Sequence, residues 1–243
     1  MTDLHSHIIY GVDDGSENMD MSIEMLRGAS KAGTKNIVFT PHCNISVDED
    51  VRYKNDILIN RYKQIKSKSK QIGLDINIYL GSEVYASNDI TELIKRGNAI
   101  TLNHSRYLLT EFNFNEDPLF VSNTLGKIQS MGLVPLLAHP ERYKFVQKFP
   151  YMVYDWVRSG CLIQINRGSL IGGFGEASEQ LAHFLLEENL VHIVSSDGHR
   201  PYRRKPVLND AYNVVDKYYG RERAERLFKK NPEMILHNKE IRY

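Results

Sequence analysis

The sequence predicts a parallel α/β protein, with a closed seven-stranded (β/α) barrel as first choice and an open doubly wound sheet as second. Seven short apolar runs recur along the chain. Amphipathic segments of helical period separate them, and the runs read as strands covered on both faces. Period alone does not separate barrel from open sheet, because both bury parallel strands in the same way. With 243 residues and no linker, low-complexity tract or repeat, one domain spanning 1–243 is expected.

The runs cover residues 2–5, 36–42, 76–84, 107–112, 133–139, 161–167 and 190–196, most of them rich in Val, Ile, Leu or Tyr and of strand length. Residues 20–31 have helical spacing of apolar side chains and are followed by Gly33, a helix stop. A second helix is expected over 52–72, closed by Gly73, and a third over 118–131, closed by Gly132. A fourth, over 176–189, follows the turn Gly172-Gly173-Phe174-Gly175, which could present amides to a phosphate or be a plain loop. Asn231-Pro232 fits an N-cap followed by proline at the first helical position.

Composition narrows the function classes. A formal net charge of +1 gives no global attraction for nucleic acid or an anionic membrane, so any anion site must be local. Lys63, Lys66, Lys68 and Lys70 read as the solvated face of a long helix. Two cysteines, Cys43 and Cys161, imply no disulfide framework. The start of the chain lacks a basic segment followed by a long apolar run, and no stretch approaches the ~18 apolar residues of a membrane span. A cytoplasmic protein without membrane insertion is expected.

Chemistry concentrates where the runs end. The first leads into His5-Ser6-His7, the second into His42 and the third into Glu83. The fourth contains Glu111, the fifth ends in His139, and the seventh leads into Asp197-Gly198-His199, while Asp14 lies in the loop after the first. In a parallel barrel all strand C-termini open onto one face, so these side chains would converge. Positions i and i+2 of an extended segment share a side, so His5 and His7, or Asp197 and His199, can reach one ion. Imidazole and carboxylate donors without thiolates suit Mn²⁺, Fe²⁺, Zn²⁺ or Mg²⁺. Three such ions would outweigh the four carboxylates and favour an anionic substrate such as a phosphate ester; two would leave the site neutral. A lone His-x-His or glutamate is usually no more than hydrogen-bonded or solvated, so the inference rests on the repetition at strand ends. His104, His183, His192 and His237 stand outside the pattern.

Read in order, Asp3-Leu4-His5-Ser6-His7, Asp13-Asp14-Gly15, Thr40-Pro41-His42, Gly81-Ser82-Glu83, Glu111-Phe112, His139-Pro140-Glu141-Arg142-Tyr143 and Ser196-Asp197-Gly198-His199 resemble the PHP (polymerase and histidinol phosphatase) superfamily. The resemblance spans nearly the whole chain. It is nearest to the manganese-dependent bacterial protein-tyrosine phosphatases of capsule and exopolysaccharide operons. It implies a distorted seven-stranded (β/α) barrel with three divalent ions, manganese preferred. By that resemblance His5, His7, Glu83 and Asp197 hold one ion. Glu83 bridges to a second, also held by Glu111 and His139, and Asp14, His42 and His199 hold the third. Arg142 resembles the family's phosphate-binding arginine, and Arg204 is the best match for a second, with Arg203 one residue away. The implied partner is a phosphotyrosine protein, the tyrosine-rich tail of a bacterial tyrosine kinase that controls polysaccharide export.

The chemistry agrees with that assignment. Metal coordination can bring the pKa of water to about 7, so hydroxide can attack phosphorus in line without a phosphoenzyme. A tyrosine leaving group, with a pKa of about 10, departs with little protonation, whereas an alkyl phosphate such as histidinol phosphate needs a general acid. The basic cluster Arg200, Arg203, Arg204 and Lys205 follows the ligands Asp197 and His199 and could gather an anionic tail. Three rivals follow from the same residues. One is a small-molecule phosphatase such as histidinol phosphatase, and another a non-catalytic metal-binding module. The third is a cysteine phosphatase: His42-Cys43 begins its signature, but Glu49 replaces the required arginine. Cys161 and Arg167 have the right spacing, but the residues between them read as a buried strand.

Overall fold

The computed structural model describes residues 1–43 and 55–241. Strand β1 (Thr2–Asp3) pairs in parallel with β2 (Asn36–Phe39), which pairs with β4 (Asn77–Leu80). Past Thr40-Pro41 the second run resumes as β3 (His42–Cys43), and past Gly81-Ser82 the third resumes as β5 (Glu83–Tyr85), beside β3. The parallel order then continues through β6 (Tyr107–Glu111), β7 (Val134–Ala138), β8 (Leu162–Asn166) and β9 (Ile193–Ser195). The circuit closes just beyond the first and last strands. Ser6 bridges Gly198 in parallel, the His7 amide donates to the Gly198 carbonyl at 2.9 Å, and the Asp197 amide donates to that of His5 at 3.0 Å. All seven runs therefore form one barrel, with kinks in the second and third.

Helices α1 (Met19–Lys31) and α2 (Asn55–Gln71) cover the side formed by β1, β2 and β4. α3 (Ile90–Lys95), α4 (Pro118–Ser130), α5 (Lys144–Lys148), α6 (Met152–Arg158), α7 (Arg167–Leu170), α8 (Glu176–Glu187), α9 (Asn209–Tyr219), α10 (Arg221–Glu225) and α11 (Asn231–Leu236) follow in chain order. The expected second helix began at residue 52; positions 52–54 lie outside the described residues. The helix after Gly175 ends at Glu187, and the last strand starts only at Ile193. Before it, the Leu190 amide turns back to the Leu185 carbonyl, and the His192 ring accepts the Ile163 amide. Asn231 is not a cap. It has helical dihedrals and donates to the His192 carbonyl, within a helix widened to a π-turn over Arg226–Lys230. Such a turn accommodates Pro232, which cannot supply the regular backbone hydrogen bond.

Two-residue alternation explains where the site sits. Val38, Tyr107, Leu109, Leu136, Ala138, Leu162 and Ile193 point into the barrel, while Ile37, Leu108, Leu137, Ile163 and Val194 face the helices. Leu102, Ile235 and Leu236 join the interior cluster. Along β6 and β8 the inward position turns polar towards the C-terminal end: Tyr107 and Leu109 give way to Glu111, and Leu162 to Gln164 and Asn166. Among the described residues, no helix is long and apolar enough to cross a membrane.

Candidate metal centre

The nine candidate ligands, eight at or just past run ends and Asp14 in the loop after the first, converge on the C-terminal mouth of the barrel. Their donor atoms form four overlapping groups: His7, Asp14, His42 and His199; His5, His7 and Glu83; His5, His139 and Asp197; and His42, Glu83 and Glu111. Glu83 lies at the centre and is buried. Its Oε2 is 3.0 Å from His42 Nδ1, 3.2 Å from His5 Nε2 and 3.3 Å from His7 Nε2, yet it makes no hydrogen bond. Its Oε1 is 3.0 Å from His139 Nε2, which lies 3.6 Å from Glu111 Oε1. On the outer side, Asp14 Oδ1 is 3.4 Å from His42 Nε2 and 3.3 Å from His199 Nε2. His42 thus stands between two groups, one nitrogen towards each.

The ring orientations are set from behind. His5 Nδ1 is 2.9 Å from Gln164 Oε1, Gln164 Nε2 donates to Asn166 Oδ1 at 2.8 Å, and Asn166 Nδ2 donates to Asp197 Oδ2 at 2.7 Å. A carboxylate only accepts, so it fixes both amides and makes His5 Nδ1 the donor. His7 Nδ1 is held by Asp13 Oδ2 at 2.8 Å, and His199 Nδ1 by the Asp197 carbonyl at 2.9 Å. Gly15 closes this loop against His7: a Cβ there would lie 2.2 Å from the His7 carbonyl oxygen. The two Nε2 atoms of His5 and His7 are left 3.2 Å apart, both also close to Glu83 Oε2 and Asp197 Oδ1. Positive charge must lie between these lone pairs. Buried imidazole and carboxylate donors with back-side hydrogen bonds fit divalent metal ions.

Electrostatics carry the same imprint. Burial opposes ionisation of Glu83, but the His5 and His42 imidazoles hold its carboxyl well below the usual range. Burial opposes ionisation of Asp197 too, yet His5, His7 and Arg204 keep it low. Glu111, with less compensation, is pushed up to about 8 by burial and by the Glu83 charge.

Both expected arginines reach the centre. Arg204 Nη2 is 2.5 Å from Asp197 Oδ2 and Arg142 Nη1 is 3.4 Å from the same oxygen, whereas Arg203 is exposed. The cysteines do not take part. Burial raises the Cys43 thiol to about 11 and the Cys161 thiol to about 12. The stretch between Cys161 and Arg167 is strand β8, and Arg167 pairs with Asp210. Glu49 lies outside the described residues.

Residues 1–237 match the family described as capsular polysaccharide synthesis, CpsB/CapC. The chain belongs to this family. CpsB of Streptococcus pneumoniae, a tyrosine-protein phosphatase, is 32% identical over 97% of this chain and 98% of its own. YwqE of Bacillus subtilis, also a tyrosine-protein phosphatase, is 32% identical over 99% of this chain and 93% of its own. The CapC protein of Staphylococcus aureus is 35% identical over 99% and 93%. In three dimensions the chain superposes with a TM-score of 0.92 and 31% identity, covering 100% of it and 96% of the other chain, on a structure from the work on YwqE and CpsB, described as unique metal-dependent tyrosine phosphatases. CpsB/CapC membership makes this chain a metal-dependent tyrosine-protein phosphatase of capsular polysaccharide synthesis. A Listeria monocytogenes protein related to histidinol phosphatases shares the fold at a TM-score of 0.52 and 13% identity.

In this CpsB/CapC chain the sequence pattern misses the supporting residues Asp13, Gln164 and Asn166, and the rings of Phe114 and Phe174, which lie 4.7 and 4.3 Å from the Arg142 guanidinium carbon. Strand β8 contributes no ligand candidate, so a search for strand-end ligands passes over it. The polar pair Gln164 and Asn166, two apart inside an apolar run, is the signal that could have found it. The segment Gly172-Gly173-Phe174-Gly175 is a turn, and its Phe174 ring lies under the Arg142 guanidinium carbon, 4.3 Å from the ring centre.

Proposed function

We propose that the enzyme works with three divalent ions, manganese preferred, and that its substrate is the phosphotyrosine-bearing, tyrosine-rich tail of a bacterial tyrosine kinase that controls polysaccharide export. His5, His7, Glu83 and Asp197 would hold one ion, Glu83, Glu111 and His139 a second, and Asp14, His42 and His199 a third. The carrying observation is the crowding of His5 Nε2 and His7 Nε2, 3.2 Å apart, against Glu83 Oε2, with Glu83 Oε1 against His139. When bound, the ions supply a water acidic enough to attack at neutral pH and charge to offset the phosphoryl oxygens. Glu83 would help hold two of the ions, with Oε2 facing His5, His7 and His42 and Oε1 facing His139. Arg142 and Arg204 turn N–H edges to the phosphoryl group, where arginine forks match oxygen pairs. Their shared contact, Asp197 Oδ2, keeps both side chains at the mouth before substrate arrives. A phenolate leaves with a pKa of about 10, so the chain needs no dedicated acid.

The kinase tail is supported by leaving-group chemistry and by the basic segment Arg200, Arg203, Arg204 and Lys205 behind the ligands. The test compares a multiply phosphorylated tail peptide, a small aryl phosphate and histidinol phosphate in Mn²⁺ across a salt series. The peptide should be the best substrate, and its kcat/KM should fall most steeply with salt, as exposed charges are screened over about 8 Å at physiological ionic strength. Equal salt responses, or histidinol phosphate as the far better substrate, would overturn the kinase-tail reading.

A further inference from the structure

Phe174 sits at the tip of the short turn between α7 and α8, half-buried, with its ring over two cations. The Arg142 guanidinium carbon is 4.3 Å from the ring centre and that of Arg204 5.5 Å. On another side, Arg142 stacks on Phe114 at 4.7 Å. The turn is built around this ring. The Gly173 amide donates to the Gly168 carbonyl at 2.7 Å, and a Cβ on Gly168 would lie 2.5 Å from the Phe174 Cε2. Position 168 therefore leaves the space that the ring fills.

Two guanidinium groups converging on one carboxylate oxygen repel each other. An aromatic face carries negative charge density and attracts both, while leaving the in-plane N–H groups free to donate. A guanidinium held against a ring loses tilt and swing, and its donors stay aimed at one region. We propose that Phe174 is a positioning residue of the phosphate clamp, holding the planes of Arg142 and Arg204 so that their N–H edges face the metal centre. This rests on reading those arginines as phosphate binders. Phe174 acts through them and needs no contact with the reacting atoms.

The test uses the Mn²⁺-loaded enzyme and inorganic phosphate as a competitive inhibitor, with bound metal measured alongside. Phe174→Ala and Phe174→Leu should each weaken phosphate by about tenfold, while Phe174→Tyr stays within about twofold of the parent, because the aromatic face and not apolar bulk carries the effect. Metal content should not change in any of the three. Gly168→Ala, which displaces the ring without removing it, should resemble Phe174→Ala. In a double-variant cycle, Arg142→Ala should weaken phosphate less in the Phe174→Ala background than in the parent. Phosphate binding unchanged in Phe174→Ala, with Arg142→Ala weakened, would overturn the positioning role and leave the clamp standing. A Phe174→Leu enzyme equal to the parent would overturn it in favour of simple packing. Unchanged phosphate binding in Arg142→Ala would overturn clamp and positioning role together.

Discussion

At the residue scale, the donors and the arginines have separable tasks. Glu83 turns Oε2 towards His5, His7 and His42 and Oε1 towards His139, so Glu83→Ala should lower bound metal and activity together, and more than Asp14→Ala does. Metal analysis of the purified variants checks this, and normal metal content in Glu83→Ala would refute the bridging role. Arg142 cannot ligate a cation. Arg142→Ala should keep its metal yet lose about 10²–10³ in kcat/KM, the scale of a lost oxyanion donor. The cysteines behave oppositely: with thiols raised to about 11 and about 12, both stay protonated at neutral pH, so iodoacetamide should leave activity intact. Inactivation in proportion to Cys43 alkylation would contradict this. The nine donors were legible in the sequence because each closes an apolar run or follows one closely. Asp13 was not singled out, because nothing in a sequence says which of two adjacent aspartates turns towards His7.

At the scale of elements, strand β8 gives the clearest contrast between first and supporting contacts. It carries no proposed ligand, yet Gln164 and Asn166 link His5 to Asp197 through three hydrogen bonds of 2.7–2.9 Å. Losing such outer contacts costs metal affinity, so Gln164→Leu and Asn166→Ala should each weaken Mn²⁺ binding about 10–100-fold while the barrel stays folded. Isothermal titration of the metal-free protein with Mn²⁺ measures it; unchanged affinity in both variants would make the link incidental. Strand number was readable from the apolar runs. The kinks at Thr40-Pro41 and Gly81-Ser82 split two runs into paired short strands; Pro41 and Gly81, both poor interior strand residues, were the signal for them, and reading each run as one strand passed over it. Asn231 misled for a related reason. Asn-Pro is a good local cap signal, but here a widened turn carries the helix straight through.

At the scale of the molecule, the barrel is joined by the same segments that carry the centre. Ser6 meets Gly198 between ligand candidates on both segments, so the first and last strands are closed by residues flanking His5, His7, Asp197 and His199. Bound metal should stabilise the whole fold by mass action, and chelation should lower the melting temperature along with activity. Barrel versus open sheet was undecidable from periodicity because closure depends on a few contacts between segments nearly the full chain apart. The most direct measurement is a reconstitution series: strip the protein with a chelator, add Mn²⁺ in steps, and follow bound metal and phosphotyrosyl-peptide hydrolysis in the same samples. Activity should be lost on stripping and return as the sites fill, reaching its plateau as occupancy approaches three ions per chain. Full hydrolysis by the thoroughly stripped protein, or a plateau reached with one ion per chain, would contradict a trinuclear phosphatase.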